Sequence, residues 1–320
     1  MSDHQHEHHP WAQAAAVLGG VGMTAQSRAN GELAHLLGNG WQAAVISFGS
    51  GLLLLLAITV FSPTVRRGVS QVRAAVRGGL LRWWQTAGGM VGALFVAVQS
   101  TAVPLVGVAL FTVTIIGAQT GASLAVDRLG VGPQGVIQPN RRRVVAATLA
   151  VVAVLFAMSD RIAAPGFALW AIALAFLVGI AISFQHAING LVSRAAGNAL
   201  TAALANFVWG TTLLLAGFGV GLLLGWWQWA PLPSGPWWVY LGGSLGVGFI
   251  TISAAVLHKL GSLRFVLGSV SGQLLGALLF DWLAPTSGSA ISTQLLLGIA
   301  ITAGAVVLAN VRTAKRSQVA

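Results

Sequence analysis

Two pairs of amide side chains recur along the chain at matched spacing. Gln26 and Asn30 stand four residues apart before Gly31, and Gln185 and Asn189 stand four apart before Gly190. Residues i and i+4 share a helix face, so each pair presents two groups that both donate and accept hydrogen bonds. Two readings are open for these four: they bind a solute, or they bond across helices and hold a bundle together at about 0.6 kcal/mol each. Gln119 and Gln273 stand nearer the centres of apolar runs, where an unsatisfied amide costs most, and are expected to line a cavity. The titratable groups beside such runs are Glu32, Asp127, His186 and Asp281. An imidazole near a membrane can relay protons, although a hydrogen-bonded packing histidine is the weightier reading of His186. Asp127 has Arg128 beside it, which suits a paired or hydrated interfacial carboxylate. Asp281 has no adjacent base, which makes it the better coupling candidate. The cluster of His4, His6, His8 and His9 beside Asp3 and Glu7 has the donors for a divalent metal, but a tail with incidental affinity accounts for it. No cofactor and no built metal site are expected.

These side chains need helices in a bilayer to position them. Of the 320 residues, 56% are hydrophobic and 7% charged, against roughly 25% charged in soluble domains. No charge falls between Glu32 and Arg66, Arg82 and Asp127, Arg161 and Arg194, or Arg194 and Lys259. A membrane helix needs about 20 such residues. Continuous runs such as Leu52 to Leu56 exclude the alternating pattern of a membrane barrel. Ten spans are predicted, near 11–29, 41–61, 83–103, 105–126, 143–159, 166–188, 199–225, 237–257, 263–283 and 291–311, with the weakest divisions at Pro104 and at His258-Lys259. Flanking them are a His-rich tail (1–10) and a basic tail (312–320). With the N-terminus in the cytoplasm, 15 of the 17 Lys and Arg fall on inner segments, leaving Arg28 and Arg161 outside. That asymmetry places both termini in the cytoplasm and explains the charge of +11 without nucleic acid. The stretch Arg66 to Arg82 reads as a short amphipathic helix on anionic lipid.

The two halves, 11–161 and 162–311, match each other. At an offset of 159, Gly38-Asn39 meets Gly197-Asn198, Phe48 meets Phe207 and Gly51 meets Gly210, in register with the amide pairs. At an offset of 154, Trp83-Trp84 meets Trp237-Trp238, Gly88-Gly89-x2-Gly92 meets Gly242-Gly243-x2-Gly246, Gln119 meets Gln273 and Asp127 meets Asp281. An odd number of spans per half requires the second half to enter the membrane upside down. Charge agrees: Ser62 to Arg82 holds five Arg, and its counterpart Trp226 to Pro236 holds none. Inverted repeats predict alternating access around a midplane site.

The combination of QxxxNG, the Gly-Asn pair, WWxxxGGxxG and the downstream Asp resembles the YdcZ-like family of the drug/metabolite transporter superfamily, in its fused ten-helix form, over roughly residues 15 to 310. The resemblance implies an all-α fold of two inverted five-helix repeats and export of a small organic solute, without naming the solute. Related small exporters couple to protons through a mid-helix Glu; here Glu32 lies toward a connection, so that mechanism does not transfer. The expectation is therefore a secondary transporter of the inner membrane, a monomer or homodimer whose partners are its solute and the lipid. A non-transporting scaffold is the other reading. No HExxH pattern and no close carboxylate pair within a span point to an enzyme.

Overall fold

The computed structural model describes residues 10–286 and 289–310, apart from the side chains of residues 257, 258 and 261–263. Both tails expected to carry charge or histidine fall at or beyond its ends, so the His4–His9 cluster and Arg312, Lys315 and Arg316 lie outside the described residues.

The protein is all-helical among the described residues. The helices are α1 (Pro10–Leu37), α2 (Gly40–Phe61), α3 (Pro63–Arg77), α4 (Gly89–Val106), α5 (Val108–Leu129), α6 (Arg141–Ala157), α7 (Leu169–Ala196), α8 (Ala199–Leu223), α9 (Gly242–Leu283) and α10 (Thr293–Asn310), with short 3-10 turns at Trp83–Gly88 and Trp237–Leu241. The repeated Gly-Asn pair has a local cause. Gly38 and Gly197 take positive φ (63° and 68°) just past the ends of α1 and α7, the usual left-handed stop. Asn39 then accepts from the amides of Trp41 and Gln42, and Asn198 from that of Thr201, at 2.8–3.1 Å, so each starts the next helix as its N-cap. The Arg-rich stretch forms the separate amphipathic helix α3, capped by Ser62.

Eight stretches are long and apolar enough to cross a membrane: Gly40–Phe61, Trp83–Val106, Val108–Leu129, Leu169–Ala196, Ala199–Leu223, Trp237–Val256, Arg264–Leu283 and Thr293–Asn310. The other two of the ten predicted spans correspond to α6, which has only 17 residues, and α1, whose apolar character is cut by Gln26, Ser27, Arg28, Asn30 and Glu32. α1 also runs eight residues past its predicted end, so Glu32 is helical rather than in a connection.

The predicted division at His258-Lys259 carries no assigned break, since helical backbone runs from Gly242 to Leu283. The chain nevertheless doubles back within α9. Its first part meets α1 antiparallel, Gly242 against Asn30 and Gly246 against Gln26, while its second part meets α1 parallel, Gly268 against Ala16, Gly272 against Val17 and Gly276 against Val21 and Thr24. Val17 and Gly19 are neighbours on α1, yet they touch Gly272 and Phe249, which a straight helix would hold roughly 35 Å apart at 1.5 Å per residue. α7 is embraced in the same way. Gly88 and Gly92 of the other half meet its Asn189 and Gln185 antiparallel, and α5 runs parallel to it from Ile115 to Gln119.

Glycines make these approaches possible. A Cβ on Gly89 would stand 2.0 Å from the Asn206 carbonyl oxygen, and one on Gly243 would stand 2.0 Å from that of Ser47. Phe48 packs against Gly210 and Phe207 against Gly51, the two rings meeting at 4.8 Å. Gly217 and Gly221 accommodate the rings of Trp41 and Trp227, which stack on each other at 5.2 Å; Trp41 also donates to the Leu214 carbonyl at 2.9 Å. Both tryptophans are thus packing groups, whereas Trp83, Trp226, Trp229 and Trp237 stay exposed, as an interfacial belt requires.

Because the atom that an added methyl meets is backbone, Gly89→Ala should lower stability by about 1–3 kcal/mol. Gly219→Ala, where nothing lies within 4 Å, should be neutral. Thermal unfolding of the purified protein in detergent measures both; equal midpoints would remove the close approach as a stabilising contact.

Candidate functional site

A cavity of about 280 Å³ opens among α5, α6, α7, the second part of α9, and α10. It lies on the side that carries Asp127, Arg143 and Asn310. Gln119 of α5 and Gln273 of α9, at corresponding places in the two halves, both line it. Thr120, Ser123, Ser183 and His186 add hydroxyl and imidazole groups, and Val266, Val270 and Val306 add apolar wall. Ser183 donates to the Gln119 carbonyl at 2.9 Å, which fixes α5 against α7 at this level. The Gln273 amide reaches Ser269 at 3.4 Å, a weak bond that leaves it free to turn to a solute. At the mouth Asp127 pairs with Arg143, not with its neighbour Arg128. The residues therefore present hydrogen-bonding groups and one internally balanced ion pair.

Gln273 also bounds a smaller void of about 20 Å³ deeper in the bundle, with Thr24, Ser27, Thr112, Phe95 and Phe111 around it. That is room for about one water. Beyond it the path is filled. Phe95 and Phe111 meet at 5.9 Å, and a buried amide network crosses from α1 to α4: Asn30 donates to Gln99 at 2.9 Å, and Gln99 donates to Ser27 at 2.7 Å. At the far end is a second hollow of about 370 Å³ beside Arg28, Glu32, His35 and Pro104. There Arg28 bonds Glu32 at 2.7 Å, one turn away.

Between this far hollow and the filled path stands Asp281. It is 2% exposed and accepts from the amides of Val108 at 2.8 Å and Ala109 at 2.7 Å. Those are first-turn amides of α5, which lack a partner within their own helix. The helix starts directly after Gly107 (φ 84°), where a Cβ would stand 2.9 Å from the carboxylate. Arg161 reaches the same turn from outside, donating to the Val106 carbonyl at 3.4 Å. Asp281 is thus a clasp across the two halves, and a basic residue remote in sequence shares its surroundings.

The candidate residues consequently separate. Gln119, Gln273, Asp127 and His186 converge on one cavity. Glu32 lies in the opposite hollow and Asp281 between. Gln26, Asn30, Gln185 and Asn189 sit at helix contacts instead of cavity walls: Gln26 and Asn30 face Gly246 and Gly242, and Gln185 and Asn189 face Gly92 and Gly88. Gln99, Ser183 and Arg143 join these networks without being marked by residue pattern. Gln99 had one available signal, a fully polar amide inside an apolar run, but its repeat counterpart is Ser253, so recurrence did not mark it. Gly242-Gly243-Ser244-Leu245-Gly246 fits the GxSxG pattern formally. It lies at the start of a helix docked on α1 and α2, without the strand-to-helix elbow that exposes a nucleophile.

The comparisons with known proteins agree with this architecture. One family model, described as "Putative inner membrane exporter, YdcZ", matches twice, over residues 11–156 and again over residues 170–308. The chain belongs to this family. Each match covers one half, so both halves of this YdcZ-family protein carry the family's own pattern. A comparison with curated proteins finds no match.

Replacing Gln99 by Leu takes away the acceptor of the buried Asn30 amide. Unsatisfied buried polar groups cost about 1–3 kcal/mol each, so Gln99→Leu should lower the thermal midpoint while Gln119→Leu, at the open cavity, should leave it nearly unchanged. Equal losses in the two variants would contradict the division between packing amides and cavity amides.

Proposed function

We propose that this membrane protein is a secondary transporter that exports a small polar organic solute by alternating access. In this reading it has ten membrane helices in two inverted five-helix repeats, with both termini in the cytoplasm. One observation carries the proposal: repeat-related amides, Gln119 and Gln273, line one cavity, and the path beyond it is filled. An inverted repeat places its binding site where the halves meet, near the midplane. Family membership supports a membrane exporter.

The open side is the one that carries Arg141, Arg142, Arg143 and α3, which the distribution of charge makes cytoplasmic. The captured conformation is then inward-open, with the outward path shut by the Phe95–Phe111 pair, the Asn30–Gln99–Ser27 network and the Asp281 clasp. In the outward-open conformation the repeat exchanges roles. Asp281 releases the first turn of α5, and Asp127, its counterpart, leaves Arg143 to cap the α9 backbone near residues 262 and 263. The lining, neutral except for an internally paired Asp127 and Arg143, suits a solute without net charge. His186 and Asp127 are the groups through which protons would couple to transport.

Purified protein in liposomes, tested against a panel of neutral, zwitterionic and charged solutes at two pH values, tests the reading. Loss of one hydrogen bond, about 0.5–1.5 kcal/mol, should make Gln273→Leu roughly 3- to 10-fold weaker in flux at low solute, with unfolding unchanged. Wild-type liposomes that move no solute in either direction would favour a scaffold. Unchanged kinetics in Gln273→Leu would remove that amide from the path. Orientation is checked separately: cysteine at Ser234 should react with an impermeant reagent from outside, and cysteine at Arg73 should not.

A further inference from the structure

The other face of α5 carries a further hollow. A groove of about 550 Å³ runs between α5, α6 and α7, and continues for about 390 Å³ toward Met158 and Leu169. α6 packs on α5 and α10 while α7 packs on α4 and α5, so the gap is lateral and faces lipid. Small residues of α5 form its floor, Gly121, Ala122 and Ala125, and its walls are almost wholly apolar. Gln119, Ser123 and Asp127 face the solute cavity, so α5 separates the two hollows.

The repeat-related surface of the other half is built from larger residues. Gly121, Ala125 and Arg128 correspond through the repeat to Leu275, Leu279 and Trp282, large side chains that stand 63%, 45% and 70% exposed. Arg128 is the third member of the replaced set, and it lies on the groove's own face of α5, three residues after Ala125 and seven after Gly121. Arg141 lies on the corresponding face of α6, seven residues before the groove residue Thr148. Both arginines are exposed, and neither pairs with a carboxylate among the described residues. Arg141 moreover occupies the first turn of α6, where the helix dipole disfavours a cation and an added anion would be favourable.

We propose that this groove binds an anionic phospholipid of the arginine-rich leaflet, its phosphate between Arg128 and Arg141 and an acyl chain along α5 and α6. Length agrees with a lipid drawn from one leaflet. From Ala147 to Met158 the groove follows α6 for about 17 Å at 1.5 Å per residue, close to half of a hydrocarbon core of about 30 Å. Basic pockets between membrane helices on the cytoplasmic side are suited to anionic headgroups. Such a lipid would brace α5 from behind while the opposite face handles solute.

The test uses the full chain in detergent with added phosphatidylglycerol or phosphatidylcholine, read by thermal unfolding and by native mass spectrometry. Phosphatidylglycerol should raise the midpoint and remain bound, and phosphatidylcholine should do so far less. The double variant Arg128→Gln/Arg141→Gln should lose at least half of that selective increment. Ala125→Leu, which copies the other half, should do the same without touching a charge. Because all three positions are exposed, the variants should fold as the wild type does. Equal response to the two lipids, or an undiminished phosphatidylglycerol increment in either variant, would overturn the proposal. A protein dimer that Ala125→Leu dissociates would overturn it too, since a second copy would then fill the groove.

Discussion

Close approach of backbone to backbone across the two halves is the constraint on which the rest of this structure rests. Between membrane helices there is no hydrophobic driving force, so association depends on packing and hydrogen bonds. Here packing is achieved by removing side chains. Gly89 lies on the Asn206 carbonyl and Gly243 on that of Ser47, while Gly20 lies on the Ser269 carbonyl and Gly272 on that of Val17. Every one of these contacts joins one half to the other. Neither half completes its own core, and the amides of QxxxNG are drawn into the same contacts, facing the glycines of the opposite GGxxG.

Such docking leaves polar backbone at the places where helices turn inside the bundle. Gly107 ends α4 and α5 begins at once, exposing first-turn amides in a setting with little water. Asp281 answers that need from the other half, with both carboxylate oxygens engaged. Its repeat counterpart Asp127 is instead held by Arg143 at an open mouth. Two residues with equal places in sequence thus occupy unequal surroundings, and on the proposed reading that inequality is what distinguishes the shut end from the open one.

Much of this was readable from residue order. Apolar runs located most of the helices, and the repeated Gly-Asn pair marked two helix junctions because a left-handed stop and an N-cap both select residue type. The convergence of Gln119 and Gln273 followed from their recurrence. What stayed hidden has physical causes. The roles of Gln26, Asn30, Gln185 and Asn189 depend on which helix lies opposite, and both readings of an intramembrane amide use the same side chain. Arg161 meets the Asp281 turn only through tertiary folding, some 120 residues away in sequence. The helical ends of α1 and α7 ran past the predicted spans because polar residues there are satisfied by partners that a hydropathy pattern does not include. The groove behind α5 arises from small residues that, read singly, signify nothing beyond close packing.

On the proposed function, two cross-docked halves open the ends of one path in turn. Spin-label distances measured in liposomes test it most directly, with one pair at Leu129 and Val307 across the arginine-rich mouth and another at Leu36 and Ile291 at the opposite end. Addition of a transported solute should shorten the first distance and lengthen the second within the same sample. Two distances that stay fixed, or that grow and shrink together, would contradict it.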